Sequence, residues 1–222
     1  MSIVIHVGLH KTGTTFLQEQ IFKKLKNINY SKRIDLHRIH IDNNKINLIS
    51  NAWLSSDEPH FYEFGATDKY EILSHIKKLF PDAKIILVKR NFSPWLKSCY
   101  RQYIVSGGIL TFDDYCEKYN HNFIDMDDYE NMIRELFDEV LVTTQESLLN
   151  NREQTIQTIC NFIGVEVPIY ENKKRNVSQK AYQLNTRRII NKFTKSVFNK
   201  KAPIITDVII KIALLIWTIN KE

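Results

Sequence analysis

Short apolar runs alternate with segments of helical periodicity along most of the chain. The apolar runs are rich in β-branched residues and lack strict alternation with polar positions, which is typical of parallel strands covered on both faces. Four such strands are predicted, at Ile3–Val7, Ile46–Ser50, Lys84–Lys89 and Val140–Thr143. Strands that alternate with helices indicate an α/β fold, a mostly parallel central sheet flanked by helices.

Helices are expected between these strands, with boundaries set by capping and breaking residues such as Pro81, Ser93-Pro94 and Gly107-Gly108. Ser93 is expected to cap its helix and Pro94 to lie in the first turn. The predicted helices run from Thr14 to Leu25, from Asp68 to about Pro81, from Ser93 to about Gly107, from Phe112 to Tyr119, from Asp128 to Phe137 and from about Gln154 to Ile163.

The composition changes after a predicted loop that ends at Ser178. Lys180–Phe198 is predicted as one basic helix, and Pro203 begins another, whose body, Ile204–Ile219, is largely apolar. That body is shorter than the roughly 20 residues that span a bilayer, so it could pack on the domain, dimerise or lie in a membrane interface. We predict a main domain at 1–178 and a helical extension at 179–222.

Basic residues are concentrated in this extension. The net charge is +6, yet residues from Lys173 onward carry twelve Lys/Arg and two acids, against nineteen and twenty-three before them. Such a block suits nucleotide phosphate, an acidic glycan or a lipid headgroup surface. No recognition motif accompanies the charge, so no nucleic-acid partner is expected.

The compartment and the metal content are predicted from simpler features. No long apolar stretch follows the N-terminus, so no secretory signal is expected and the protein is predicted to be cytoplasmic, with peripheral membrane contact through the C-terminal helices left open. The three cysteines are widely spaced and form no C-x-x-C pair, which argues against a disulfide framework and a zinc site. The oligomeric state is left open.

The first predicted strand leads directly into the turn Gly8-Leu9-His10-Lys11-Thr12-Gly13-Thr14-Thr15. A phosphate loop of nucleotide hydrolases reads G-x-x-x-x-G-K-[ST]. Gly8 and Gly13 keep this spacing, but Thr14 stands where that lysine belongs, and the lysine is Lys11. The N-terminus of the following helix still offers N–H groups to an anion. The turn therefore predicts a phosphate site without the usual Mg-ATP arrangement.

A second anion site is predicted where the strand at Lys84–Lys89 ends. Arg90 follows this strand directly, and Ser98 lies in the next helix. Ligands of open parallel sheets bind beyond the carboxyl ends of the strands, where the first loop must also lie. A guanidinium is a suitable partner for a phosphate, so Arg90 and Ser98 are predicted to clamp a phosphate separate from the first.

Together these segments resemble two signatures of the sulfotransferases that use 3′-phosphoadenosine 5′-phosphosulfate (PAPS). His10–Thr15 resembles the phosphosulfate-binding loop, and Arg90–Tyr100 resembles the 3′-phosphate-binding segment. The run Lys174–Ser178 is similar to the loop with which bacterial members close over the nucleotide. The resemblance implies a three-layer P-loop-like fold and a PAPS-dependent enzyme that sulfates a hydroxyl of a carbohydrate or glycolipid without a metal.

The resemblance also implies roles for individual residues. Lys11 would contact the sulfuryl group and the bridging oxygen, which suits a reaction that builds charge on the leaving phosphate oxygen. Arg90 and Ser98 would bind the 3′-phosphate, and Arg175 and Ser178 would assist from the later loop. The residues expected around the 5′-phosphosulfate are His10, Lys11, Thr12, Gly13, Thr14 and Thr15.

The general base is where the chain departs from the family. Many bacterial members carry a glutamate shortly after the second strand, in a run resembling Ser-Asn-Glu, whereas this chain reads Ser50-Asn51-Ala52. An attacking hydroxyl needs a base within hydrogen-bond reach. Glu58 and His60 are the first candidates because they follow the same strand end. The other candidates are Asp57, Glu63 and His10.

Two other functions are consistent with the sequence. A P-loop kinase of the same architecture is disfavoured by Thr14 at the lysine position and by the basic rather than acidic end of the strand at Lys84–Lys89. A catalytically weakened nucleotide-binding or membrane-docking protein would explain Ala52. We expect the sulfotransferase.

Overall fold

The computed structural model describes residues 2–32, 39–51, 58–64, 69–171, 181–194 and 196–200. Within them, five strands form one sheet: β1 (Ser2–His6), β2 (Ile28–Ser31), β3 (Ile46–Ser50), β4 (Lys84–Lys89) and β5 (Val140–Thr144). The strand order is β2-β3-β1-β4-β5, and every neighbouring pair is parallel. The predicted α/β class and parallel sheet are confirmed.

Helices connect the strands. α1 (Thr14–Phe16) continues into a π-helical turn (Leu17–Ile21) and a 3-10 turn (Phe22–Lys24), so the predicted first helix is present but irregular. Two further 3-10 segments are Pro59–Phe64 and Asn120–Asn122. The remaining helices are α2 (Lys69–Leu79), α3 (Phe92–Val105), α4 (Phe112–Tyr119), α5 (Met126–Leu136), α6 (Gln145–Asn150), α7 (Arg152–Ile163) and α8 (Ala181–Asn191).

One strand and one α-helix, β2 and α6, were not predicted. β2 has the sequence Ile28-Asn29-Tyr30-Ser31 and lies at the edge of the sheet, where partial burial does not require an apolar run. Its Asn29 donates a 2.8 Å hydrogen bond to Asn47 of β3, which fixes a polar pair between the strands. α6 is a short helix whose N-cap, Thr144, accepts a hydrogen bond from the backbone N–H of Ser147.

Several predicted helix boundaries were wrong. α3 begins at Phe92, and Trp95 N–H donates to the Asn91 carbonyl at 3.0 Å, so Ser93 lies inside the first turn and is not the cap. α5 begins two residues before the predicted start because Asp125 caps it with bonds from two backbone N–H groups. α8 ends at Asn191 rather than at Phe198, because the Asn199 side chain binds the carbonyls of Asn191 and Lys192 that a longer helix would use.

By proximity in space the chain groups into two units. The first, Met1–Trp95 with Asn122–Arg175, contains the whole sheet and a core in which side chains of α7 and of the two turns that follow α1 pack on β1, β3 and β4. Leu17, Phe22 and Ile156 are fully buried in this core. It anchors the strands whose carboxyl ends carry the predicted site.

The second unit combines Leu96–His121 with Asn176–Glu222. In its described part, Tyr103 is surrounded by the rings of Tyr115, Tyr119 and Phe198, with centroids 5.0 to 6.0 Å away. Asn191 is buried and its amide donates to the carbonyls of Ile104 and Gly108, at 2.8 Å each. The predicted boundary at residue 178 falls among residues outside the description and stays a prediction.

Candidate functional site

The phosphate-type turn lies at the carboxyl end of the central strand. β1 has β3 on one side and β4 on the other, and Val7 N–H continues the pairing by donating to the Ile86 carbonyl at 3.0 Å. Arg90 follows the end of β4, so the two predicted anion-binding segments leave the same edge of the sheet from adjacent strands. This is the position that parallel sheets use for ligands.

Side chains bind three consecutive carbonyl oxygens of the turn. Thr12 Oγ1 donates to the Leu9 carbonyl at 2.6 Å, and Trp95 Nε1 donates to the His10 carbonyl at 3.1 Å. Arg90 Nη1 donates to the Lys11 carbonyl at 2.8 Å. Carbonyl oxygens repel anions, so contacts that bind three consecutive carbonyls to the protein favour an anion on the donor groups of the turn.

The backbone of the turn is tightly curved. Lys11 has φ 66° and Gly13 has φ 93°, both in the left-handed region. Glycine adopts this region without strain, whereas the lysine is held there against its preference. Left-handed residues within a turn direct successive N–H groups into one concavity, which is a common anion site. Gly13 is also the N-cap of α1, where it adds no side chain between the helix N-terminus and a ligand.

Glu58 lies beside Lys11 and two histidines. Its Oε1 is 3.9 Å from Lys11 Nζ and 3.7 Å from His10 Nδ1, and its Oε2 is 3.6 Å from His60 Nε2. Glu58 is 5% exposed and His60 is fully buried. The structure therefore brings together Lys11, Glu58 and His60, the three residues predicted for catalysis, along with His10.

The two histidines of this cluster are neutral near pH 7. Burial, with a smaller contribution from the Lys11 charge, lowers the pKa of His10 to about 4. Burial also lowers the pKa of His60 to about 3, aided by the charges of Lys11 and His10. A neutral imidazole offers one N–H donor and one acceptor, so either ring can orient a carboxylate without carrying charge.

The other predicted residues lie as follows. Thr12 and Thr14 are buried in the turn and Thr15 is exposed. Ser98 is half-buried in α3 and belongs to the second unit, so its pairing with Arg90 stays a prediction. Outside the described residues lie Ala52, Asp57, Arg175 and Ser178, and the side chain of Glu63 is also undescribed.

Four residues that lie at or next to the turn were not predicted from the sequence as site residues. Trp95 was predicted as a packing residue, yet its indole N–H binds the turn. His6, Gln18 and Ser50 form a buried polar group next to the turn, in which Ser50 Oγ lies 2.7 Å from His6 Nδ1 and 3.1 Å from Gln18 Nε2. The sequence signal for this group is weak, one polar residue at the end of each of two apolar strands.

Within the described ranges, no group of three or more His, Cys, Asp or Glu side chains is arranged to hold a metal ion. In the same part of the chain, no helix has the length and apolar character to cross a bilayer.

This arrangement defines a class of protein, an α/β fold with a P-loop-like turn on its central strand. Residues 66–168 match the model of a family described as "Sulfotransferase family". A search of curated protein sequences finds no significant match.

Two solved structures have the same fold. A sulfotransferase from Alicyclobacillus acidocaldarius aligns with a TM-score of 0.56 and 16% identity over 86% of this chain and 93% of its own. Mouse sulfotransferase SULT7A1, solved in complex with PAP, aligns with a TM-score of 0.53 and 16% identity over 86% of this chain and 64% of its own. At such identity these likenesses establish the fold, and the family match, over somewhat less than half of the chain, supports a sulfotransferase family.

Proposed function

We propose that this protein transfers a sulfuryl group from PAPS to a hydroxyl of a carbohydrate or glycolipid. The observation that carries the proposal is the contact of Arg90 with the Lys11 carbonyl, at 2.8 Å. It joins the two predicted anion-binding segments at one sheet edge, as a nucleotide with separate 3′ and 5′ anionic groups would require. A simple mononucleotide would need only one of them.

Lys11 and the turn would act on the leaving group. In the transfer, the acceptor oxygen forms a bond to sulfur while the bond from sulfur to the 5′-phosphate oxygen breaks. Negative charge grows on that phosphate oxygen as 3′-phosphoadenosine 5′-phosphate (PAP) leaves. An ammonium and fixed N–H donors placed beforehand stabilise such charge without reorganising. Lys11 and the N-terminus of α1 supply both.

Glu58 is our candidate for the general base. Its carboxylate lies 3.9 Å from Lys11 Nζ, so it is next to the group that would contact the sulfuryl oxygen. The acceptor hydroxyl would attack sulfur in line with the leaving oxygen and give its proton to Glu58. His60, at 3.6 Å from the other carboxylate oxygen, is assigned as a positioning residue, because a group with a pKa of about 3 holds a proton weakly near neutrality.

The acceptor class rests on the family resemblance, and peripheral membrane contact through the basic C-terminal region is proposed on charge. That region carries twelve of the thirty-one Lys and Arg residues of the chain. A glycolipid acceptor would place the enzyme next to an anionic surface, which such charge favours.

Isothermal titration of the full-length protein with PAP and with 5′-AMP tests the donor assignment. We expect PAP to bind, and to bind at least about tenfold more tightly than 5′-AMP, because charge-assisted hydrogen bonds contribute roughly 1.5–3 kcal/mol. No heat with PAP, or equal affinity for the two nucleotides, would rule PAPS out. Magnesium-dependent ATP turnover would instead favour the kinase.

A further inference from the structure

The last residue of β1 is a histidine buried beneath the phosphate-type turn. His6 is fully buried, and its ring meets Phe22 edge-on at 5.3 Å between centroids. Its Nδ1 lies 2.7 Å from Ser50 Oγ. Its Nε2 is buried too, and no hydrogen-bond partner for it is found in the described part of the chain. A buried polar atom in this state destabilises the fold, so its presence at a ligand site calls for a function.

The hydrogen bonds around Ser50 are compatible with a proton on Nε2 of the His6 ring, which is the tautomer assigned in the proposal below. Gln18 Nε2 is a donor and lies 3.1 Å from Ser50 Oγ, so the serine oxygen accepts there. The hydroxyl proton of Ser50 is then available for His6 Nδ1. Burial lowers the pKa of His6 to about 3, so the ring is neutral and has a single N–H. When Nδ1 accepts the Ser50 proton, that N–H is on Nε2.

His6 Nε2 and Thr14 Oγ1 border the same point beside Gly8. A Cβ on Gly8 would lie 2.6 Å from Nε2 and also 2.6 Å from Thr14 Oγ1. The two atoms are therefore separated by no more than twice that distance. Thr14 Oγ1 donates to the Leu9 carbonyl at 3.4 Å, near the long limit for a hydrogen bond. Nε2 forms no hydrogen bond with this loosely held hydroxyl in the structure, so the bond proposed below requires the hydroxyl to move towards His6.

We propose that His6 is a positioning residue for the 5′-phosphate of the donor, acting through Thr14. Its Nε2–H donates to Thr14 Oγ1, and the Thr14 hydroxyl donates to a phosphate oxygen. A charged phosphate is a better acceptor than the Leu9 carbonyl, so the hydroxyl proton turns to it while His6 holds the oxygen. Donors and acceptors then alternate without conflict along Gln18, Ser50, His6, Thr14 and phosphate. The inference rests on the proposed function, because it needs a phosphate in the turn.

Two substitutions of His6 separate the two ring nitrogens. In His6→Gln the amide nitrogen extends to about the place of Nε2, whereas in His6→Asn it reaches only about as far as Nδ1. Both variants replace the ring by an amide, so their cost to folding should be similar. By titration calorimetry we expect His6→Asn to bind PAP about fivefold more weakly than His6→Gln, the effect of one hydrogen bond. Adenosine 3′-monophosphate, which lacks the 5′-phosphate, should bind both variants equally.

Thr14 provides the second test. In a Thr14→Val background, the difference between the two His6 variants should vanish because the hydroxyl that connects His6 to the phosphate is gone. Thr155→Val is the matched control, since Thr155 is a buried threonine of α7 whose hydroxyl donates to the Asn151 carbonyl at 2.8 Å, outside the turn, and its loss should leave the difference unchanged.

The outcomes separate this inference from the proposed function. A wild-type protein that fails to bind PAP refutes the function. Two results would overturn the role of His6 in a protein whose wild type binds PAP. In one, His6→Gln and His6→Asn bind PAP with equal affinity. In the other, the difference between the two variants is the same for PAP and for adenosine 3′-monophosphate. If neither variant folds, ¹⁵N NMR of the wild-type protein decides: the Nε2–H tautomer of His6 is expected, and the Nδ1–H tautomer contradicts the proposal.

Discussion

Replacing Arg90 should change nucleotide selectivity more than nucleotide affinity in general. The side chain has two roles in the proposed function: it binds the 3′-phosphate, and it donates a 2.8 Å hydrogen bond to the Lys11 carbonyl. The first role increases the affinity only of a nucleotide that has a 3′-phosphate. The second keeps the turn in the conformation that binds the 5′ group, so it increases the affinity of PAP and 5′-AMP alike.

The two contributions differ in size. The bond to the Lys11 carbonyl is partly buried, and a hydrogen bond of this kind contributes about 1 kcal/mol, so Arg90→Ala should weaken 5′-AMP binding about fivefold. The hydrogen bond to the 3′-phosphate joins charged groups and contributes about 1.5–3 kcal/mol more. Arg90→Ala should therefore weaken PAP binding by a further factor of about 10 to 150, with no such effect on 5′-AMP. Arg90→Lys should fall between, because it keeps the charge and lacks the planar fork.

Titration calorimetry with both nucleotides measures the ratio of their affinities. Arg134→Ala is the matched control, since Arg134 is an exposed arginine of α5 that bonds to Glu130 and should leave the ratio unchanged. If Arg90→Ala weakens PAP and 5′-AMP by the same factor, Arg90 acts only through the turn. The 3′-phosphate would then be bound elsewhere, and the predicted clamp would be wrong.

Three further outcomes are expected. Gly8→Ala should weaken PAP binding at least about tenfold by calorimetry, because its Cβ would lie 2.6 Å from the His6 ring and the turn must move; unchanged affinity would show the turn to be more compliant. Asn191→Ala should lower the free energy of unfolding by about 2 kcal/mol in urea, since two buried backbone carbonyls lose their donors, and a loss below about 0.5 kcal/mol would contradict this. Burial holds the pKa of His60 at about 3 in the folded protein, so the unfolded chain takes up the proton first as the pH falls below about 6.5. Between about pH 7.5 and pH 5, the free energy of unfolding of the wild-type protein should therefore fall by about 2 kcal/mol more than that of His60→Gln. Parallel pH curves for the two proteins would contradict the shift.

The sequence predicts the sheet well because burial on both faces leaves a strong apolar signature. β1, β3 and β4 were predicted to within a residue, and β1 and β4 carry the turn and Arg90. β2 was missed because an edge strand with polar Asn29 has no such signature, and its place depends on pairing with β3. The ends of α3 and α8 were missed because tertiary hydrogen bonds set them.

The site was partly predictable for a different reason. Motif spacing identifies the turn and Arg90, since a local backbone shape needs residues at fixed separations. The contact of Trp95 with the His10 carbonyl has no such spacing rule, because it joins residues far apart in the chain. The buried group of His6, Gln18 and Ser50 is likewise assembled from three elements. No local pattern encodes which polar residues will meet.

In the proposed function, Glu58 would take over the role of a catalytic group that is missing from its usual motif. The glutamate that relatives are expected to carry after the second predicted strand is Ala52 here, which read alone suggests an enzyme without a base. The chain nevertheless brings a carboxylate to within 3.9 Å of Lys11 Nζ from a point farther along, after β3 ends at Ser50. Proton abstraction requires reach and orientation, and neither depends on the residue's place in the sequence. Glu58→Gln should therefore abolish turnover and spare PAP binding. The wild-type protein should be active although position 52 is an alanine, so that Ala52→Glu is not needed for activity.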